Sequence, residues 1–183
     1  MAAAIGFAFS SAAMAAMSKD EYKAKKDAIS ANYKAERAKC DPLAGNAKDI
    51  CVAEAKGREK VAKAELESSY KPSTDNTYKA RVAKAEADYA VAKEKCDDKA
   101  GNDKDVCVKQ AKAAEATAKG EAKAQKKTVA ANKKAAEKTA DAREDAATKK
   151  RDADYAVAKE KCDALAGTAK DKCVADAKAK YGK

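Results

Sequence analysis

The chain has 183 residues, 40 Lys or Arg against 30 Asp or Glu, six Cys, no His and no Trp. Alanine supplies most of its apolar content, with only three Leu, three Ile, nine Val and two Phe in the whole sequence. A compact globule with a large buried centre is thereby excluded, and the composition verges on that of disordered chains; helices packed along alanine-rich seams and cross-linked by cysteine are what remains.

The first seventeen residues, MAAAIGFAFSSAAMAAM, carry no charge, whereas the chain from Lys19 onward is dense with it. The run is shorter than the ~20 apolar residues of a membrane span. It reads as a signal peptide over 1–15, with Ala13-Met14-Ala15 as the cleavage element. Because no Lys or Arg precedes the run, the true n-region is expected upstream of Met1. The mature chain is expected to begin near Ala16 and to carry no transmembrane anchor.

Ser18 and Glu21 form a capping-box pattern that opens a first helix running to about Cys40. Tyr22, Ile29, Tyr33 and Cys40 share one face of it. A second helix starts near Ala47 and completes a first hairpin over 16–70. Lys71-Pro72-Ser73-Thr74-Asp75-Asn76 reads as a linker over 71–76. The third helix carries Tyr78, Val82, Ala85, Tyr89, Ala92 and Cys96 in four-three alternation, a coiled-coil seam expected to pack against a neighbouring helix of the same chain. It leads into a second corner within 77–108.

The corners are internal repeats. KCDPLAGNAKDICV, KCDDKAGNDKDVCV and KCDALAGTAKDKCV begin at Lys39, Lys95 and Lys161, and ADYAVAKEKCD occurs unchanged from Ala87 and from Ala153. Gly45, Gly101 and Gly167 suit the left-handed residue that follows a helix end. Asn46, Asn102 and Thr168 suit N-caps, with Asp49, Asp105 and Asp171 three residues on. Each first cysteine stands five residues before the glycine and each second cysteine five after the expected cap, so both fall at equal depth on facing helices. Six cysteines allow fifteen pairings; equal depth favours Cys40–Cys51, Cys96–Cys107 and Cys162–Cys173. A structural zinc site needs four close Cys or His ligands, and a redox pair usually reads C-x-x-C; neither pattern occurs.

Residues 109–151 hold thirteen Lys or Arg against six Asp or Glu, with Val129 the only large aliphatic. A long Ala/Lys-rich helix is expected there, roughly 60 residues and ~90 Å if continuous to the third corner. Gly120 and the segment from Thr128 to Asn132 are its weakest points. A last helix, about Ala169 to Tyr181, closes a third hairpin over 152–183. The fold class is therefore all-α: elongated, antiparallel, coiled-coil-like hairpins, each corner stapled by a disulfide, with one long basic helix.

Catalysis finds little support. There is no His, no Gly-rich phosphate loop and no evident base beside Ser18, Ser30, Ser68, Ser69 or Ser73, and no cofactor or metal is expected. The run MSKDEYKAKKD from Met17, the KCD-x-LAGNAKD-x-C corners and the closing DAKAKYGK resemble a group of small exported β-proteobacterial proteins described as TolA-like or cell-envelope-biogenesis proteins. The resemblance implies a periplasmic or secreted location and a helix of the kind that crosses the periplasm, which 109–151 matches in composition. The expected role is a non-enzymatic helical spacer or interaction scaffold, with envelope proteins or anionic envelope polymers as partners. AAEKTADAREDAATKKRDA also resembles late-embryogenesis-abundant proteins, so a stress protectant is an alternative. A basic holdase or polyanion binder using Lys126, Lys127, Lys133 and Lys134 is another. Nucleic acid is not expected, since 109–151 has no aromatic for base stacking and the chain no recognised module.

Overall fold

A computed structural model describes residues 17–182. The expected signal segment 1–15 and its cleavage site lie outside them. Five helices follow in order: α1 Lys19–Lys39, α2 Gly45–Tyr70, α3 Thr74–Cys96, α4 Gly101–Cys162 and α5 Gly167–Tyr181. The described residues contain no strand. The chain divides into two units, the first ending at Thr128 and the second beginning at Val129.

Local chemistry starts and stops these helices. At α1 the capping box is formed: Ser18 Oγ accepts from the Glu21 N–H at 3.1 Å, and Glu21 Oε2 accepts from the Ser18 N–H at 3.0 Å. Asp20 and Glu21 lie in its first turn and Arg37 and Lys39 in its last, each sign matching the helix dipole. The break after α2 spans only 71–73, so Thr74, Asp75 and Asn76 of the expected linker are helical. Ser73 causes this: its side chain accepts from the Asn76 N–H at 3.0 Å, while Asn76 Nδ2 donates to the Lys71 carbonyl at 2.7 Å.

The corners depart from expectation in one detail. Gly45, Gly101 and Gly167 do hold positive φ, at 56°, 53° and 58°. Each is, however, the first residue of the following helix rather than the last of a C-terminal motif. Extended Ala44 and Ala166 take the N-cap positions of α2 and α5, with no side-chain cap. Asn46 and Thr168 therefore sit one residue inside the first turn, as does Asn102 in α4, and the expected Asn/Thr–Asp capping boxes do not form. Asn46 turns instead to the neighbouring corner, donating to Asp98 Oδ1 at 2.7 Å.

In the first unit α2 packs against both α1 and α3, and the opposite side of α3 faces α4. Tyr22 on α1 stacks on Tyr70 with ring centroids 4.3 Å apart and donates to Glu67 Oε2 at 2.8 Å. Between α2 and α3, Gly57 meets Ala87; a Cβ built on Gly57 would lie 3.0 Å from that of Ala87. The four-three seam of α3 is used within the chain: Ala85, Tyr89 and Ala92 face Ala111, Ala114 and Ala118 of α4. The buried positions are mostly alanine and cystine, with Leu66 the one large aliphatic among them in the described residues. Small side chains let helix backbones approach closely, which is how a chain so poor in large aliphatics forms a packed interior. The α4 helix continues through Gly120 and through 128–132.

In the second unit α5 folds back along the end of α4. Tyr155 and Tyr181 meet edge to face at 6.4 Å, Ala177 is buried, and Cys162 and Cys173 join the two helices. Residues 129–147 are helical and exposed on every side. Among the described residues no helix is long and apolar enough to cross a membrane.

Candidate functional site: stapled corners and the basic helix

The three corners are built alike. Cys40–Cys51, Cys96–Cys107 and Cys162–Cys173 are disulfides with Cα–Cα distances of 5.6, 5.6 and 5.7 Å. The first cysteine of each pair closes its helix and is 0% or 1% exposed; the second lies in the second turn of the next helix. The N–H groups of Leu43, Lys99 and Leu165 donate to the carbonyls of Cys40, Cys96 and Cys162, the same tight turn three times. Among the described residues no cysteine is free. Closing a loop of this length restricts the unfolded chain by roughly 2.5–3 kcal/mol per bridge.

A second tie repeats with the disulfide. Asp41 faces Lys48 at 4.0 Å, Asp97 faces Lys104 at 3.0 Å, and Asp163 faces Lys170 at 2.8 Å. Sequence reasoning missed these pairs, although the signal was present: an Asp follows every first cysteine and a Lys stands seven residues further on. At the third corner the hydrogen bond from Lys170 holds the Asp163 carboxyl below its ordinary pKa and, reciprocally, holds Lys170 above its own.

The four lysines named for the polyanion-binding alternative differ in their surroundings. Lys126 is engaged within the first unit, 2.6 Å from Asp75 and 5.1 Å from the ring centre of Tyr78. Lys133, in the second unit, is 3.9 Å from Glu137 one turn along. Lys127 and Lys134 are exposed and have no carboxylate partner among the described residues. The reason is tertiary: α3 brings Asp75 and Tyr78 alongside α4 at Lys126.

A further carboxylate, Glu86 on α3, accepts from Lys119 on α4 at 2.8 Å and from Lys60 on α2. Three helices are thereby tied at one point. The hydrogen bond from Lys119, then that from Lys60, holds the Glu86 pKa below the ordinary Glu value. Lys126 does the same to Asp75. A carboxylate depressed in the folded state contributes stability above its unfolded pKa and loses it as pH falls through the folded value. The urea midpoint should therefore fall on acidification below about pH 4, and Glu86→Gln should lower the neutral-pH midpoint while flattening that acid limb. Urea titrations monitored by helical circular dichroism over the acid range check this. At the other extreme the hydrogen bond to Glu67 chiefly raises the Tyr22 pKa, so its contribution is complete below the ordinary tyrosine value and is lost as pH rises through the folded one.

A groove of about 740 Å³ lies between α2 and α3, floored by Gly57, Val61, Ala62, Ala87, Val91 and Ala92 and rimmed by alternating acids and bases. Among the described residues no group of three or more His, Cys, Asp or Glu side chains is arranged to hold a metal ion. Three disulfides fit a chain residing outside the reducing cytoplasm. No family model, curated relative or solved structure matches the chain.

Proposed function

We propose that this is a non-enzymatic protein of the periplasm and cell envelope that acts as a helical spacer and interaction scaffold. The observation that supports this reading is the run 129–147, helical throughout yet exposed on every side. A helix that buries nothing draws little stability from packing; here strong helix formers sustain it, and stapled hairpins flank it in sequence. Such a segment serves by its length and by the surfaces joined to it. The engagement of Lys126 by Asp75 weighs against the four-lysine polyanion site.

The test compares two variants by crosslinking and affinity capture from intact cells. One deletes residues 133–143, eleven residues and about three turns, which keeps the helical phase. The other changes Lys126, Lys127, Lys133 and Lys134 to Gln, preserving helix propensity. Shortening should remove the captured envelope partners, and the Gln changes should leave them in place. Capture lost through the Gln changes alone, with binding that falls steeply as salt rises, would establish a polyanion binder instead. Protection of a client enzyme during drying, with no partner captured, would establish a stress protectant.

A further inference from the structure

The eleven residues ADYAVAKEKCD occur as 87–97 on α3 and again as 153–163 near the end of α4. On α3 they are covered from two opposite sides. Tyr89 and Ala92 face α4, while Ala87 lies against Gly57 of α2 and is only 7% exposed. In the second unit the first of these sides has its equivalent cover, because α5 lies along Tyr155 and Cys162. The other side is bare: Ala153, Ala156, Val157 and Glu160 are all exposed, Val157 at 56%. This side is thus more covered where an antiparallel helix of the chain adjoins it, with Ala87 buried, Val91 and Glu94 half-buried and Ala90 still exposed, than in the second unit, where Ala153, Val157 and Glu160 are all exposed.

The bare side extends as a stripe. Ala146, Lys149, Ala153, Ala156 and Glu160 follow three-four-three-four spacing, the seam of an antiparallel helix pair. Its alanines permit helix backbones to pack near one another, though not as closely as Gly57 lets α2 approach Ala87. Its two charged members, Lys149 and Glu160, have no ion-pair partner among the described residues. Its members from Lys149 to Glu160, leaving Ala146 aside, are also symmetric about the midpoint between residues 154 and 155. Ala153 and Ala156 stand equally far from that point, and so do Lys149 and Glu160. Two such helices related by a two-fold axis there would set Ala153 against Ala156 of the second copy, and Lys149 against Glu160 of the second copy, each contact made twice. On the covered counterpart, Lys60–Glu86 and Lys95–Glu54 ion pairs flank the Gly57–Ala87 approach, at positions equivalent to 152 and 161.

We propose that residues 149–160 of α4 are a self-association surface that binds the same stripe of a second copy of this chain, antiparallel. Parallel in-register pairing would set Lys149 against Lys149 and Glu160 against Glu160, so charge opposes that alignment and favours the antiparallel one.

Sedimentation equilibrium of the full oxidised chain should show a concentration-dependent dimer. Zero-length carbodiimide crosslinking of mixed light and 15N-labelled protein should join Lys149 of one isotope to Glu160 of the other. Within one helix these residues are about 16 Å apart, beyond a zero-length link. Lys149→Glu or Glu160→Lys alone should raise the dissociation constant about tenfold or more, and the double variant should restore it. Both positions are exposed in the single chain, so helical circular dichroism should not change. A chain that stays monomeric at all concentrations overturns the proposal, including the case in which a different helical protein occupies the stripe. A dimer indifferent to the single reversals, or one the double variant does not restore, overturns it as well.

Discussion

Replacing Cys162 and Cys173 together by serine is expected to release α5 from α4, with loss of helix and of amide protection throughout 167–181. The cause is how little else holds that element. It has fifteen residues, a length at which an isolated helix in water is marginal. Its other ties to α4 among the described residues include the Tyr155–Tyr181 edge contact, buried Ala177 and the Asp163–Lys170 pair; surface pairs of that kind contribute little. Removing a bridge worth roughly 2.5–3 kcal/mol leaves no compensating core. The matching change at Cys96 and Cys107 should have a smaller local effect, because α3 is also held by α2 through Ala87 and by α4 through Glu86–Lys119. Hydrogen exchange resolved by peptide, on both variants, decides this. Comparable loss of protection at the two corners would show that α5 has support beyond its staple.

Gly57→Val is expected to cost about 1–3 kcal/mol, the range for overfilling a packed interior. Even a single added Cβ would lie 3.0 Å from the Ala87 Cβ, tighter than ordinary contact, and that atom is fixed to the backbone with no rotamer to swing it aside. The branched side chain would push α2 from α3 and strain the Lys60–Glu86 and Lys95–Glu54 pairs beside the contact. Gly120→Val is the matched control, since no heavy atom lies within 4 Å of a Cβ there. Valine is a slightly better helix former than glycine, so the control should be neutral or gain a few tenths of a kcal/mol. The difference between the two variants isolates packing from propensity. Equal thermal midpoints would mean that the α2–α3 contact does not require a glycine.

The two effects differ in how far the sequence foretells them. The five helices, the turns between them and the local pairing of six cysteines were legible because each rests on residues close in sequence: a Ser18–Glu21 cap, a glycine able to hold positive φ, two cysteines eleven residues apart. Helix propensity and ring closure act over that range, so composition and spacing determine them. The corner ion pairs of Asp with Lys were equally local and could have been read from the same spacing. What only the tertiary structure decided is which alanine faces meet. An alanine-rich helix offers several faces of nearly equal size and apolarity, so its sequence periodicity selects a partner weakly. The choice fell to contacts between distant segments: Gly57 against Ala87, Glu86 between Lys60 and Lys119, and Asp75 beside Lys126. The last of these ties down Lys126, a lysine named only for the polyanion-binding alternative, through a charge on another helix, 51 residues earlier in the chain.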